Sequence, residues 1–221
     1  LTVANKHPKL PDGSPTLIVT PDLRFPQGST LAVQQANRGK YISTPTTIAG
    51  VWARPDRGAW RWSYYYNHRF ELYNFWENFQ HPEINIAEMN LLKAEGLYRK
   101  NDMAGAATLI NISRTANGLN ATNAAGLNTS CVPMLPDGKC GNLLEMLKWE
   151  KRLELQFQGL YGAPWYFDGR GWGDLWIGTP LQFPAPCKEL QVLNLLPCYS
   201  FGATGGTSAA PMSSYKFPFE A

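Results

Sequence analysis

Apolar side chains recur at helical spacing over a long stretch of this chain, and this period limits its possible folds more than any other feature. From Ile84 to Lys100, and again from Met103 to Asn117, they return every three or four positions. Between the two stretches, Asn101-Asp102 offers a turn and an N-cap, and Gly118 offers a left-handed helix end. We therefore predict two antiparallel helices. Small residues should allow their close approach: Ala94, Gly96, Ala104, Gly105, Ala106 and Ala107.

A third amphipathic helix is predicted from Asn142 to Gln158, with Gly159 placed to end it. Within it, Glu150 and Glu154 lie one turn apart on one face. We expect a nearby Arg or Lys to bridge these carboxylates, because buried Glu–Arg networks are common between packed helices.

The remaining organisation is uneven along the chain. Residues 1–83 are rich in Pro, Gly and Thr, which predicts a loop-rich segment with extended stretches and an aromatic cluster. Residues 84–221 should form a helical region with disulfide-closed loops. The predicted class is mainly α, one domain of tetratricopeptide-like helix pairs with long irregular loops. A start without Met, in a Pro- and Gly-rich segment, leads us to expect an N-terminal part outside this sequence.

Composition argues against two classes of protein. The net charge of +3, with 17% charged residues and no basic run, is too weak for a nucleic-acid-binding surface. No apolar stretch approaches the roughly 18 residues that span a bilayer, and the first residues lack the pattern of a signal peptide.

The four cysteines form two close pairs, Cys131 with Cys140 and Cys187 with Cys198, each in a segment rich in Pro or Gly. We predict two disulfides, which imply an oxidising compartment outside the cytoplasm. Free buried thiols are the alternative. A zinc site is disfavoured because the spacings are not C-x2-C and the histidines stand apart, so we predict no metal.

Three sequence blocks together resemble the SusD/RagB family of outer-membrane nutrient-binding proteins. The first, residues 84–119, contains A-E and I-N-x-x-R motifs; the second, residues 143–175, contains E-x-R-x-E-L-x-F-x-G; the third, residues 182–199, contains F-P-x-P. The matching residues are Ala87, Glu88, Leu92, Ala94, Glu95, Ala106, Ile110, Asn111, Arg114, Gly118, Glu150, Arg152, Glu154, Leu155, Phe157, Gly159, Trp165, Asp168, Arg170, Trp172, Phe183, Pro184, Pro186, Glu189 and Asn194.

The resemblance implies a SusD-like fold, in which four tetratricopeptide-like helix pairs support irregular loops. It further implies a non-catalytic protein that binds an oligosaccharide or polysaccharide without a cofactor. The expected location is the bacterial outer membrane, at the cell surface or on the periplasmic face, through a lipid anchor that this chain does not contain. The expected partner is a TonB-dependent, SusC-like outer-membrane barrel.

A glycan site needs exposed aromatic rings as platforms for the apolar faces of sugars. Two clusters qualify by composition. In the first, residues 51–70, we predict that Trp52, Trp60, Trp62 and Tyr65 bind the glycan, although packing in the core is an equal alternative. The second, residues 164–176, falls on a family block and is expected to be architectural.

Two other functions are alternatives. In an enzyme, Asp168 with Asp174, or Glu150 with Glu154, would act as the acid and base of a glycosidase. We do not predict catalysis, because the chain has no nucleophile elbow, phosphate-binding loop or HExxH motif. The other alternative is a SusD-like structural or interaction subunit of a larger envelope assembly, with no glycan ligand.

Overall fold

The computed structural model describes residues 17–44, 65–69, 84–156, 164–174 and 187–194. The chain divides into two compact units, Leu1–Ala163 and Pro164–Ala221. The described residues are partly helical with little strand, which is compatible with the mainly α class. Their elements are α1 (Leu31–Ala36), β1 (Ile42–Ser43), β2 (Tyr66–Asn67), α2 (Ile86–Arg99), α3 (Met103–Ala116), α4 (Leu143–Glu154), α5 (Pro164–Trp172) and α6 (Cys187–Val192).

Helices α2 and α3 pack against each other as predicted and are joined by three residues. Each begins at a side-chain cap: Asn85 accepts from the Glu88 amide at 2.7 Å, and Asp102 accepts from the Gly105 amide at 2.9 Å. After α3, Gly118 takes a positive φ of 76°, which a Cβ would penalise. The predicted N-cap and left-handed end are therefore both confirmed.

The main core lies where α4 packs across this pair. It consists of apolar side chains from all three helices, and burial of each larger one contributes about 1.5–3 kcal/mol. Its buried members are Leu91, Ala94, Ala106, Ala107, Ile110, Leu143, Met146 and Leu147.

Two of the small residues are not at the helix contact. Ala104 is exposed, and a Cβ added at Gly96 would meet nothing within 4 Å. The prediction of close approach was wrong for both, because they lie on outward faces. Ile84, expected on the apolar stripe, is 73% exposed.

A smaller core connects α4 to the N-terminal part of the first unit. Phe25, Ile42 and Leu153 are buried together, and the Trp149 ring stacks on Phe25 with centroids 5.9 Å apart. Strands β1 and β2 pair antiparallel beside it. Extended segments were predicted here, whereas the short helix α1, capped by Thr30, was not.

Helix α4 begins just after Asn142, the predicted start, which caps it, but it ends at Glu154 rather than at Gln158. Leu155 and Gln156 form a bend and a turn, and the predicted stop at Gly159 lies outside the described residues.

The second unit contains α5 and α6, neither of which was predicted as an individual helix. Pro164 suits the first helical position because its φ is fixed and it needs no amide partner. Gly169 and Gly171 each lower the stability of a helix by about 1 kcal/mol relative to Ala. This composition does not predict a helix at α5.

Candidate functional site

The densest group of functional side chains in the described residues is a buried ionic cluster around Arg24. Its guanidinium donates to Asp22 Oδ2 at 2.6 Å, to Glu150 Oε2 at 2.7 Å and to Glu154 Oε1 at 3.0 Å. Trp149 Nε1 donates to the same Asp22 oxygen at 2.8 Å. The predicted bridge between Glu150 and Glu154 is thus confirmed, and its cation comes from the N-terminal part of the chain.

Helix α3 completes the cluster from the other side. Arg114 Nη1 lies 3.5 Å from Glu150 Oε1, and Ser113 Oγ donates to Oε2 of the same carboxylate. Asn117 Nδ2 donates to Glu154 Oε1 at 2.9 Å. The cluster therefore connects α3 and α4 to the segment that carries Arg24.

Burial and ion pairing shift the pKa values of the charged groups in this cluster in opposite directions. Burial raises the pKa of Glu150 above its usual value, although Arg24 counteracts this. Burial also lowers the pKa of Arg114, partly offset by Glu150. For Arg24, burial disfavours the charge, but Glu150 and Asp22 outweigh it and the pKa rises. Arg24 consequently remains a permanent cation among three carboxylates.

Tyr41 lies at the edge of the cluster and is partly exposed. Its hydroxyl donates to Glu154 Oε2 at 2.9 Å, and the Arg69 guanidinium lies 4.3 Å from its ring centroid. Burial raises the pKa of Tyr41 to about 12, with Glu154 adding to the effect.

A pocket of about 270 Å³ opens beside Tyr41, between α2 and α3. Leu91, Leu109 and Ile112 contribute to its apolar surface. Lys40 lies at the C-terminal end of α3, where its ammonium donates to the Ala116 carbonyl. The pocket thus combines an apolar floor with polar groups, the usual composition of small-molecule sites. Those polar groups belong to Lys40, Tyr41, Asn90, Ser113, Asn117 and Glu154.

Of the four predicted glycan-binding residues, Trp52, Trp60 and Trp62 lie outside the described residues. Tyr65 is half-buried against the smaller core. Its hydroxyl accepts from the Ile18 amide at 2.7 Å and donates to Gln34 Oε1 at 2.6 Å. These bonds fix the position of the ring, and its role in glycan binding stays a prediction.

The disulfide between Cys131 and Cys140 is present and closes the loop between α3 and α4. This loop is tied to α3, because Arg114 donates to the Val132 carbonyl at 2.9 Å. Of the second predicted pair, Cys187 begins α6, and Cys198 lies outside the described residues.

Two absences hold for the described ranges. No three His, Cys, Asp or Glu side chains are grouped so that they could hold a metal ion. None of the helices there has both the length and the apolar composition that crossing a bilayer requires.

Asp22, Arg24, Lys40 and Tyr41 were not anticipated as members of a site. The only local signal was the charged pair Asp22 and Arg24 in a segment with few charges. Their partners are remote in sequence, with Arg24 and Glu150 separated by 126 positions. No periodic pattern could have connected them.

Comparison with protein-family models, with curated proteins and with solved structures finds no match for this chain.

Proposed function

We propose that this chain is a non-catalytic glycan-binding protein of the SusD/RagB kind, working with a TonB-dependent, SusC-like barrel at the bacterial outer membrane. The observation that carries the proposal is a contact between two of its family-like blocks. Arg114 of the first block and Glu150 of the second, both family-matched positions, form an ion pair at 3.5 Å. A buried contact between matched positions is what a shared architecture would require.

The helix hairpin formed by α2 and α3 supports the finer architectural proposal, a tetratricopeptide-like pair. Its connection is short, and Ala94, Ala106 and Ala107 are buried where the helices meet. In such a scaffold the helices hold loops in place, and the loops contact the ligand.

The arrangement of the carboxylates favours binding over catalysis. Both Glu150 and Glu154 bond to the Arg24 guanidinium, and the side chain of Glu150 is fully buried. A glycosidase would need two carboxyl groups facing a sugar across its scissile bond. These two face a protein cation instead, which suits a structural role.

The disulfide agrees with the proposed location outside the cytoplasm, because such bonds persist in oxidising compartments. In the proposal, a lipid anchor associates the protein with the membrane.

Affinity electrophoresis tests glycan binding directly. The full chain is run through native gels that contain a panel of soluble polysaccharides, beside a variant with Trp52→Ala, Trp60→Ala and Trp62→Ala. We expect at least one polysaccharide to retard the parent chain and to retard this variant less. Phe167→Ala is the matched control, since this ring is 61% exposed in the second unit and is outside the predicted site. Equal mobility of the parent chain in every gel would refute the proposal.

A second candidate is a structural subunit of an envelope assembly without a glycan ligand. It is favoured by an exposed apolar stripe on α2, where Ile86 is 81% and Met89 is 55% exposed, since such surfaces often contact other proteins. A pull-down from native membranes separates the two. A co-purifying TonB-dependent barrel supports nutrient uptake, whereas a stoichiometric partner of another kind supports the structural role.

A further inference from the structure

Asn90, a polar residue that lines the pocket between α2 and α3, is available to bind a ligand. Within the described part of the chain, the Asn90 amide forms no hydrogen bond, so both its donor and its acceptor remain available. Ile112 also lines the pocket and is 53% exposed, which adds apolar surface to the same site as that amide.

The pocket is lined by one cation and one anion, Lys40 and Glu154, and both already have hydrogen-bond partners. The Lys40 ammonium bonds to two neutral acceptors, the Ala116 carbonyl and Asn117 Oδ1, while Glu154 bonds to Arg24 and to Tyr41. A charged ligand would be attracted by one of these two groups and repelled by the other. A strongly charged ligand would therefore gain little from this site. A neutral ligand with an apolar face and several hydroxyl groups would use both kinds of surface.

We propose that this pocket binds a single neutral sugar ring. The apolar face of the ring would lie on Leu109 and Ile112, and its hydroxyl groups would bond to Asn90 and Lys40. Resting on the proposed function, the inference adds a second contact for the glycan, independent of the predicted tryptophan platform. At about 270 Å³ the pocket lies just below the range of about 300–1,000 Å³ that is common for ligand sites, and this suits one ring rather than a chain.

Methyl NMR of the full chain, with labelled Ile, Leu and Ala, tests the inference. Neutral hexoses and pentoses are titrated first, followed by a uronic acid and by short oligosaccharides. We expect a neutral sugar to shift the methyl signals of Ile112 and Leu109 in a saturable manner, and the uronic acid to bind at least about tenfold more weakly, about 1.4 kcal/mol.

A matched pair of variants assigns the effect to the pocket. Ile112→Gln should lower the affinity about tenfold, whereas Ile86→Gln should leave it unchanged, because Ile86 is 81% exposed on α2 and does not line the pocket. Asn90→Ala provides a second pocket variant, also expected to lose about tenfold.

The outcomes separate this inference from the proposed function. Glycan binding that the tryptophan variant abolishes, but that Ile112→Gln and Asn90→Ala leave intact, would overturn the pocket site and leave the proposed function standing. Failure of the parent chain to bind any sugar or polysaccharide would overturn both. Loss of binding in the two pocket variants alone would support the pocket.

Discussion

Replacement of Arg24 by Met tests how much the buried ionic cluster contributes to the stability of this protein. The side chain of Arg24 has no exposed surface and donates to three carboxylates, those of Asp22, Glu150 and Glu154. Met fills a similar apolar volume but cannot compensate these charges. Removal of one partner from a buried ion pair typically costs about 3–5 kcal/mol. We expect a loss of about 3–5 kcal/mol in the free energy of unfolding, a large part of the roughly 5–15 kcal/mol typical of a domain.

Urea denaturation at neutral pH, followed by circular dichroism, measures this loss. Arg99→Met is the matched control, because its side chain is 58% exposed and pairs with Glu95 one turn away. That pair should contribute only about 0.2–0.5 kcal/mol.

A second substitution tests the cause of the loss. Adding Glu150→Gln to Arg24→Met removes one uncompensated charge, so the two changes together should cost less than the sum of each alone, by about 0.5–3 kcal/mol. The reasoning is refuted if Arg24→Met costs less than about 1 kcal/mol, or if the two costs simply add.

Three further predictions concern the cap, the disulfide and the buried tyrosine. Asp102→Ala should destabilise the protein by about 0.5–2 kcal/mol in urea denaturation, whereas Asp102→Asn, which can still cap α3, should cost a few tenths; equal losses would contradict the capping role. Joint replacement of Cys131 and Cys140 by Ser should cost about 2–3 kcal/mol, and no change in the urea midpoint would count against the cross-link. Because the folded-state pKa of Tyr41 is about 12 and its ordinary value is 10.0, the stability that it contributes is complete below pH 10 and is lost as the pH rises through about 12. Absorbance titration should therefore show one late tyrosinate that is missing in Tyr41→Phe, and identical titration curves would be incompatible with this burial.

Helices α2, α3 and α4 could be predicted from the sequence because their determinants are local. Apolar periodicity and the caps at Asp102 and Asn142 identify α3 and α4 without reference to distant residues. Helices α1 and α5 were not predicted, because α1 has only six residues and the local signals of α5 conflict. In α5, Pro164 favours a helix start but Gly169 and Gly171 lower the helical propensity, so the composition resembles that of a loop.

In the site, too, only the features that depend on neighbouring residues could be predicted from the sequence. The spacing of Glu150 and Glu154 indicated a shared cation, yet nothing near them in sequence identified it as Arg24. The pocket likewise combines Lys40 and Tyr41 with side chains of α2 and α3, which are distant in sequence. Such a surface exists only after the chain has packed, so residue order alone could not reveal it.

Helices α2, α3 and α4 form one packed scaffold that is held together by the buried ionic cluster. Native-state hydrogen exchange in increasing urea, read by mass spectrometry, tests it most directly. We predict that the most protected amides of the three helices converge on one opening free energy, and that Arg24→Met lowers this value equally in all three. Opening of α4 at a distinctly lower free energy than α2 and α3, or a loss confined to one helix, would contradict the claim.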